Sequence, residues 1–77
     1  MYWSRKKELT PEEVKKLPVG TDVQLEGNDR YGEVTWLEGK VQQSYKKKIF
    51  VYRDNDGLQH EKPIRAYPNK KWMVKIK

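Results

Sequence analysis

Val19, Thr21, Val23 and Leu25 alternate with Gly20, Asp22, Gln24 and Glu26, so residues 19–26 carry one apolar and one polar face. A period of two is what a strand with one buried face needs, because successive β-carbons point to opposite sides. The same period returns at the end, where Trp72, Val74 and Ile76 interleave with Met73, Lys75 and Lys77. Between them, residues 31–37 predict a second strand, with Val34 and Trp36 facing inward and Gly32 at a bend or close backbone approach. Glu38-Gly39-Lys40 reads as a turn or bulge, and residues 41–44 as a continuation of that strand.

The densest β-favouring run is Ile49-Phe50-Val51-Tyr52, inside residues 45–64. Asp54-Asn55-Asp56-Gly57 punctuates it and residues 58–62 follow, which together predict a hairpin. Pro63 cannot donate to a ladder and ends the hairpin. Residues 64–69 read as irregular, with a 3₁₀ turn. Near the start, residues 9–17 predict a short helix. Thr10 is the N-cap, Pro11 the first helical residue, and Glu13 completes a capping box. Leu9 and Val14 are placed to form a hydrophobic staple, and Leu17-Pro18 ends the helix. Residues 1–8 form an arm whose Tyr2 and Trp3 are expected to dock on the domain, and residues 9–77 form a single domain.

Five short strands with tight connections are too few for a sandwich, whereas a small barrel hides its edges and encloses one core. The expected fold is mainly β: a five-stranded barrel with a short N-terminal helix. The chain resembles the SH3-like small barrels, among them Tudor, KOW and retroviral-integrase C-terminal domains. The features that carry the resemblance are the lead-in Leu17-Pro18-Val19-Gly20-Thr21-Asp22-Val23, Gly32 in the second strand, Val51-Tyr52-Arg53-Asp54 running to Gly57, and the break from Pro63 to Pro68. It covers residues 18–77; the helix is an addition to it. A Tudor-like barrel implies an aromatic cage for a methylated Lys or Arg, for which Tyr31, Tyr52 and Tyr67 are the candidates.

Composition adds the absence of any Cys, which excludes disulfides and thiolate metal sites and favours a reducing, cytoplasmic setting. No stretch has the length of a signal-peptide core or of a membrane span. Charge adds an asymmetry. Residues 1–38 hold six basic against eight acidic side chains, a balance of −2; residues 39–77 hold eleven against three, a balance of +8. Such a half points to an anionic partner, the bland alternative being a solvated Lys-rich surface.

Catalysis finds little support. His60 is the lone His, and Ser4 and Ser44 are the only serines. Asp54 to Gly57 lacks the spacing and distal Glu of a calcium loop, and Glu38-Gly39-Lys40 lacks the flanking residues of a phosphate loop. The expectation is a non-enzymatic protein without cofactor, metal or membrane. The candidate surface is Tyr45, Lys46, Lys47, Lys48, Phe50, Tyr52, Arg53, Lys62, Arg65, Lys70 and Lys71. If Phe50 and Tyr52 face outward beside Lys48, their rings stack on bases while the cations follow phosphates. The expected partner is RNA or single-stranded DNA, bound nonspecifically. The alternative is a protein-interaction module, an adaptor or inhibitor docking an acidic protein surface.

Overall fold

Hydrogen bonding gathers six strands and one short helix in the computed structural model, which describes residues 5–28 and 30–76. The expected docking of Tyr2 and Trp3 lies outside the described residues. The elements are β1 (Lys6–Leu9), α1 (Pro11–Lys15), β2 (Asp22–Asn28), β3 (Val34–Ser44), β4 (Lys47–Arg53), β5 (Gln59–Pro63) and β6 (Lys70–Lys75). They form one antiparallel sheet in the order β1-β6-β2-β3-β4-β5. The mainly β class with a short helix holds, with six strands in place of five. The extra strand comes from the expected arm: Lys6 pairs with Lys75 and Leu9 with Trp72. Lys6-Lys7-Glu8 has no apolar alternation, so this strand exists only because β6 offers it an open edge.

The helix forms as its residues dictate. The Thr10 hydroxyl accepts from the Glu13 N–H, and the Glu13 carboxylate accepts from the Thr10 N–H. Leu9 and Val14 flank the cap and both enter the core. At five residues the helix has little stability of its own and is held by that packing.

β3 departs most from expectation. Glu38-Gly39-Lys40 is no turn; it lies inside one strand of eleven residues. Its first part pairs with β2, from Asn28↔Val34 to Asp22↔Lys40, and its last part with β4, from Gly39↔Tyr52 to Ser44↔Lys47. A β-carbon at Gly39 would lie 2.1 Å from the Val51 carbonyl oxygen, so glycine is what lets β4 approach where the strand changes partners. The inward residues are Leu37 and Val41, whereas Val34 and Trp36 face outward, 51% and 38% exposed. The largest side chain of β3, Trp36, thus lies on the outer face, while the inner face carries Leu37 and Val41 with Gly39 between them.

β2 begins at Asp22 and continues through Gly27 and Asn28, two residues past the alternating run 19–26. Val19 precedes it and is exposed, while Val23 and Leu25 are buried as predicted. Gln24 is buried too, its Nε2 donating to Glu38 Oε1 at 3.2 Å. β6 ends at Lys75, which leaves Ile76 beyond the strand. Residues 64–69 are irregular without a 3₁₀ helix. Ile64 drops into the core, and Trp72 Nε1 donates to the Arg65 carbonyl at 2.8 Å.

Phe50 and Trp72 meet edge to face, centroids 5.2 Å apart and planes at 85°. β2 and β3 separate their strands in the sheet, so this contact requires the sheet to curl over itself. Among the described residues no ladder joins the two end strands, β1 and β5. The sheet therefore wraps its core by curvature, with hydrogen-bonding edges left at both ends.

Candidate nucleic-acid interface

The β3–β4 hairpin turns through two residues, Tyr45 and Lys46, between the pair Ser44↔Lys47. Lys46, Lys47 and Lys48 follow one another at this tip. Lys48 is on the face of β4 that holds Phe50, but at the end of the core. Its stem is half-buried and its Nζ donates to the Leu17 carbonyl just past α1. That bond ties the hairpin to the helix and brings Lys15 alongside. The chain leaving β5 adds Pro63, Ile64 and Arg65. The result is an open groove of about 580 Å³ whose charged lining is Lys15, Lys46, Lys47, Lys48 and Arg65, with no carboxylate.

The opposite side of the sheet differs in character. There Lys6 pairs with Glu26 and Lys40 with Asp22, both at 2.7 Å. A shallower groove of about 410 Å³ carries Asp22 and Glu38 together with Lys40 and Arg53. Acid thus offsets base on that side. Among the described residues, no ion pair involves Lys46, Lys47 or Arg65.

Of the residues named from sequence, the fold brings Lys46, Lys47, Lys48 and Arg65 into one groove, with Tyr45 next to Lys46 in the hairpin turn, 98% exposed. It separates the others. Phe50 is fully buried and presents no ring to a base, which corrects the expectation of an outward Phe50–Tyr52 pair. Tyr52 is half-buried, stacked on Phe50 at 5.5 Å and on His60 at 5.2 Å. The reason is register: Val41↔Phe50 and Gly39↔Tyr52 put both rings on the concave face, leaving Ile49 and Val51 on the other. Arg53 donates to the Gly57 carbonyl at 2.8 Å and so closes its own hairpin loop.

Lys62 and Arg65 both lie over the Tyr67 ring, at 5.2 and 4.5 Å from its centroid. Lys70 and Lys71 stand apart. Lys70 pairs with Gly27, which also pairs with Thr35, whereas Lys47 pairs with Ser44. Nine residues of β3 separate these levels, about 30 Å of strand at ~3.3 Å per residue. A single strip of all the late cations therefore does not form. Lys15 was missed because its local setting explains it fully as a helix-end cation. Only the docking of α1 beside the hairpin gives it a second role.

The proposed cage residues also disperse. Tyr31 stacks under Arg30 at 5.2 Å, Tyr67 lies under Lys62 and Arg65, and the groove that Tyr52 borders includes neither. His60 Nε2 lies 2.7 Å from Asp54 Oδ2. Asp54 also accepts from the backbone of Asp56 and Leu58, so the pair closes a turn. The hydrogen bond from His60, then that from the Leu58 N–H, hold the Asp54 carboxyl below the usual aspartate range. Among the described residues, no group of three or more His, Asp or Glu converges as a metal site, and no helix is long and apolar enough to cross a membrane. No family model matches the chain, nor does any curated protein or solved structure.

Proposed function

We propose that this protein is a non-catalytic nucleic-acid-binding β domain that holds a phosphate backbone in the groove between α1, the β3–β4 tip and the segment after β5. The observation that carries this reading is the charged lining of that groove: five cations and no acid. Closely spaced cations on a concave wall raise the local potential and attract a polyanion from solution. Four of the five are Lys, compact charges on flexible stems that neutralise phosphate without reading bases. The expected mode is therefore sequence-independent.

Fluorescence anisotropy with labelled oligonucleotides tests this. With five phosphate contacts, log K falls against log salt with a slope of about −4, so affinity drops about 250-fold between 50 and 200 mM salt. Absence of binding at 50 mM salt with roughly 100 μM protein overturns the reading, since that covers the usual nonspecific range. An acidic peptide that binds this groove when oligonucleotides do not would establish the protein-interaction alternative.

A further inference from the structure

We infer that Tyr45 is the specificity-determining residue of this groove: its ring stacks on one unpaired base and makes the domain prefer single-stranded nucleic acid over duplex. The inference rests on the proposed groove and adds to it a substrate class and the residue that selects it.

Two independent observations single out Tyr45. The first is exposure. At 98% it is the most exposed of the large apolar side chains described, on a chain that buries Phe50 and Trp72 almost completely. The second is backbone conformation. Tyr45 has φ 56°, while Lys46, the other central residue of the turn, is not in the positive region. Positive φ at the first of two hairpin-loop residues is the arrangement for which glycine is preferred, and a bulky side chain there is strained. Glycine or asparagine would build this turn at lower cost, so turn formation does not account for a tyrosine. Within the hairpin, Gln43 Nε2 donates to the Tyr45 carbonyl at 2.9 Å, and Gln43 itself lines the basic groove. Strain of this kind persists where surrounding structure over-determines it, as at ligand contacts.

The neighbours supply the chemistry. Lys46 and Lys47 follow Tyr45 directly and line the groove, so a ring and two phosphate-seeking cations share one hairpin tip. A phosphate chain in the groove would carry its bases past the rim. An unstacked base offers a π-face to Tyr45, whereas a base inside a duplex has both faces covered by its neighbours. Buried Phe50 cannot compete for this role, Tyr52 is engaged with Phe50 and His60, and Tyr67 lies under two cations.

The test compares wild type with Tyr45→Gly and Tyr45→Phe by anisotropy, using 12-nucleotide single strands of oligo-dT and oligo-U and a 12-base-pair duplex at 50 mM salt. Glycine suits the positive φ, so Tyr45→Gly should fold at least as well as wild type, which a thermal melt checks. Wild type should bind single strands more tightly than duplex. Tyr45→Gly should lose about tenfold on single strands, the size of one base stack, and less than about twofold on duplex. Tyr45→Phe should retain single-strand affinity, because the ring and not the hydroxyl does the stacking. Fluorescence of 2-aminopurine in the strand should be quenched by wild type and Tyr45→Phe but not by Tyr45→Gly. If Tyr45→Gly binds single strands as wild type does, the stacking role is overturned while groove binding stands. Parallel losses on single strands and duplex also overturn it, since that result makes Tyr45 a general contact. If wild type binds neither form, the groove reading fails and this inference fails with it.

Discussion

The edge of one aromatic ring meets the face of the other where Phe50 and Trp72 touch, 5.2 Å between centroids, across a sheet in which two strands separate them. This contact converts a flat ladder into a curled one. It also decides what the hairpin presents to solvent, because the Phe50 ring that faces Trp72 is thereby withdrawn from the surface. Truncating either side chain leaves a cavity where the two arms of the sheet meet. Phe50→Ala should cost about 3–5 kcal/mol, a large part of the stability of so small a domain. Urea denaturation followed by Trp fluorescence measures it; a loss under about 1 kcal/mol would mean that the curl does not depend on this pair.

Gly39 is the second structural pivot. Any side chain there meets backbone, since the Val51 carbonyl lies 2.1 Å from where a β-carbon would stand. Backbone cannot rotate away as a flexible side chain can. Gly39→Ala should therefore destabilise by about 3 kcal/mol or more, although alanine normally favours the folded state over glycine. Gly57, with φ 81° at an open hairpin loop, offers the contrast: Gly57→Ala meets no atoms and should cost only the smaller penalty of a left-handed residue, about 1–2 kcal/mol. Parallel thermal melts of the two variants rank them.

Acid stability should carry the signature of Asp54. Its hydrogen bonds from His60, Leu58 and Asp56 lower its carboxyl pKa in the folded protein. A carboxylate depressed in this way adds stability that is complete above its unfolded pKa, about 4, and lost as pH falls through the lower folded value. Asp54→Asn keeps an oxygen acceptor but not the charge. The melting-temperature gap between wild type and Asp54→Asn should be full above the unfolded pKa of about 4 and close as pH falls through the lowered folded value. Glu13 is also depressed, first by the Thr10 backbone N–H and then by the Thr10 hydroxyl, and it cancels in that difference because both proteins carry it. A gap independent of pH would show that the Asp54 charge contributes nothing.

Charge reversal separates the groove from the remaining cations. Lys47→Glu replaces one attraction with one repulsion inside the groove. It should weaken oligonucleotide binding by about tenfold or more at 50 mM salt and make the salt slope shallower by at least about 0.7. Lys70→Glu and Lys71→Glu change the net charge identically but lie on β6 outside the groove, so they should change affinity much less. Equal effects at all three positions would mean that overall charge, and not the groove, drives association.

Much of this architecture is legible in local residue chemistry. Thr10-Pro11-Glu12-Glu13 specifies its helix start, because capping is settled within four residues. The Asp54 to Gly57 loop and the burial of Val23, Leu25 and Trp72 follow from turn chemistry and period-two alternation. The run of positive charge also follows, since Lys46, Lys47 and Lys48 are consecutive; its place at the tip of a β3–β4 hairpin does not.

Other features depended on partners distant in sequence. Period two says that Phe50 and Ile49 face opposite ways, but not which way is in; the choice was made by Gly39 opposite Tyr52 and by Trp72 across the curl. Lys15 joined the groove, and Lys70 and Lys71 did not, because helix docking and strand register set where side chains end, and neither is encoded within a few residues. Strand Lys6–Leu9 required the open edge of β6. Alone, the residue order determined a mainly β chain with one capped helix turn and a run of consecutive lysines, because these arise from contacts between near neighbours. Only the tertiary structure decided which aromatic ring reaches solvent and which cations meet, because each depends on how a curled sheet closes over its core.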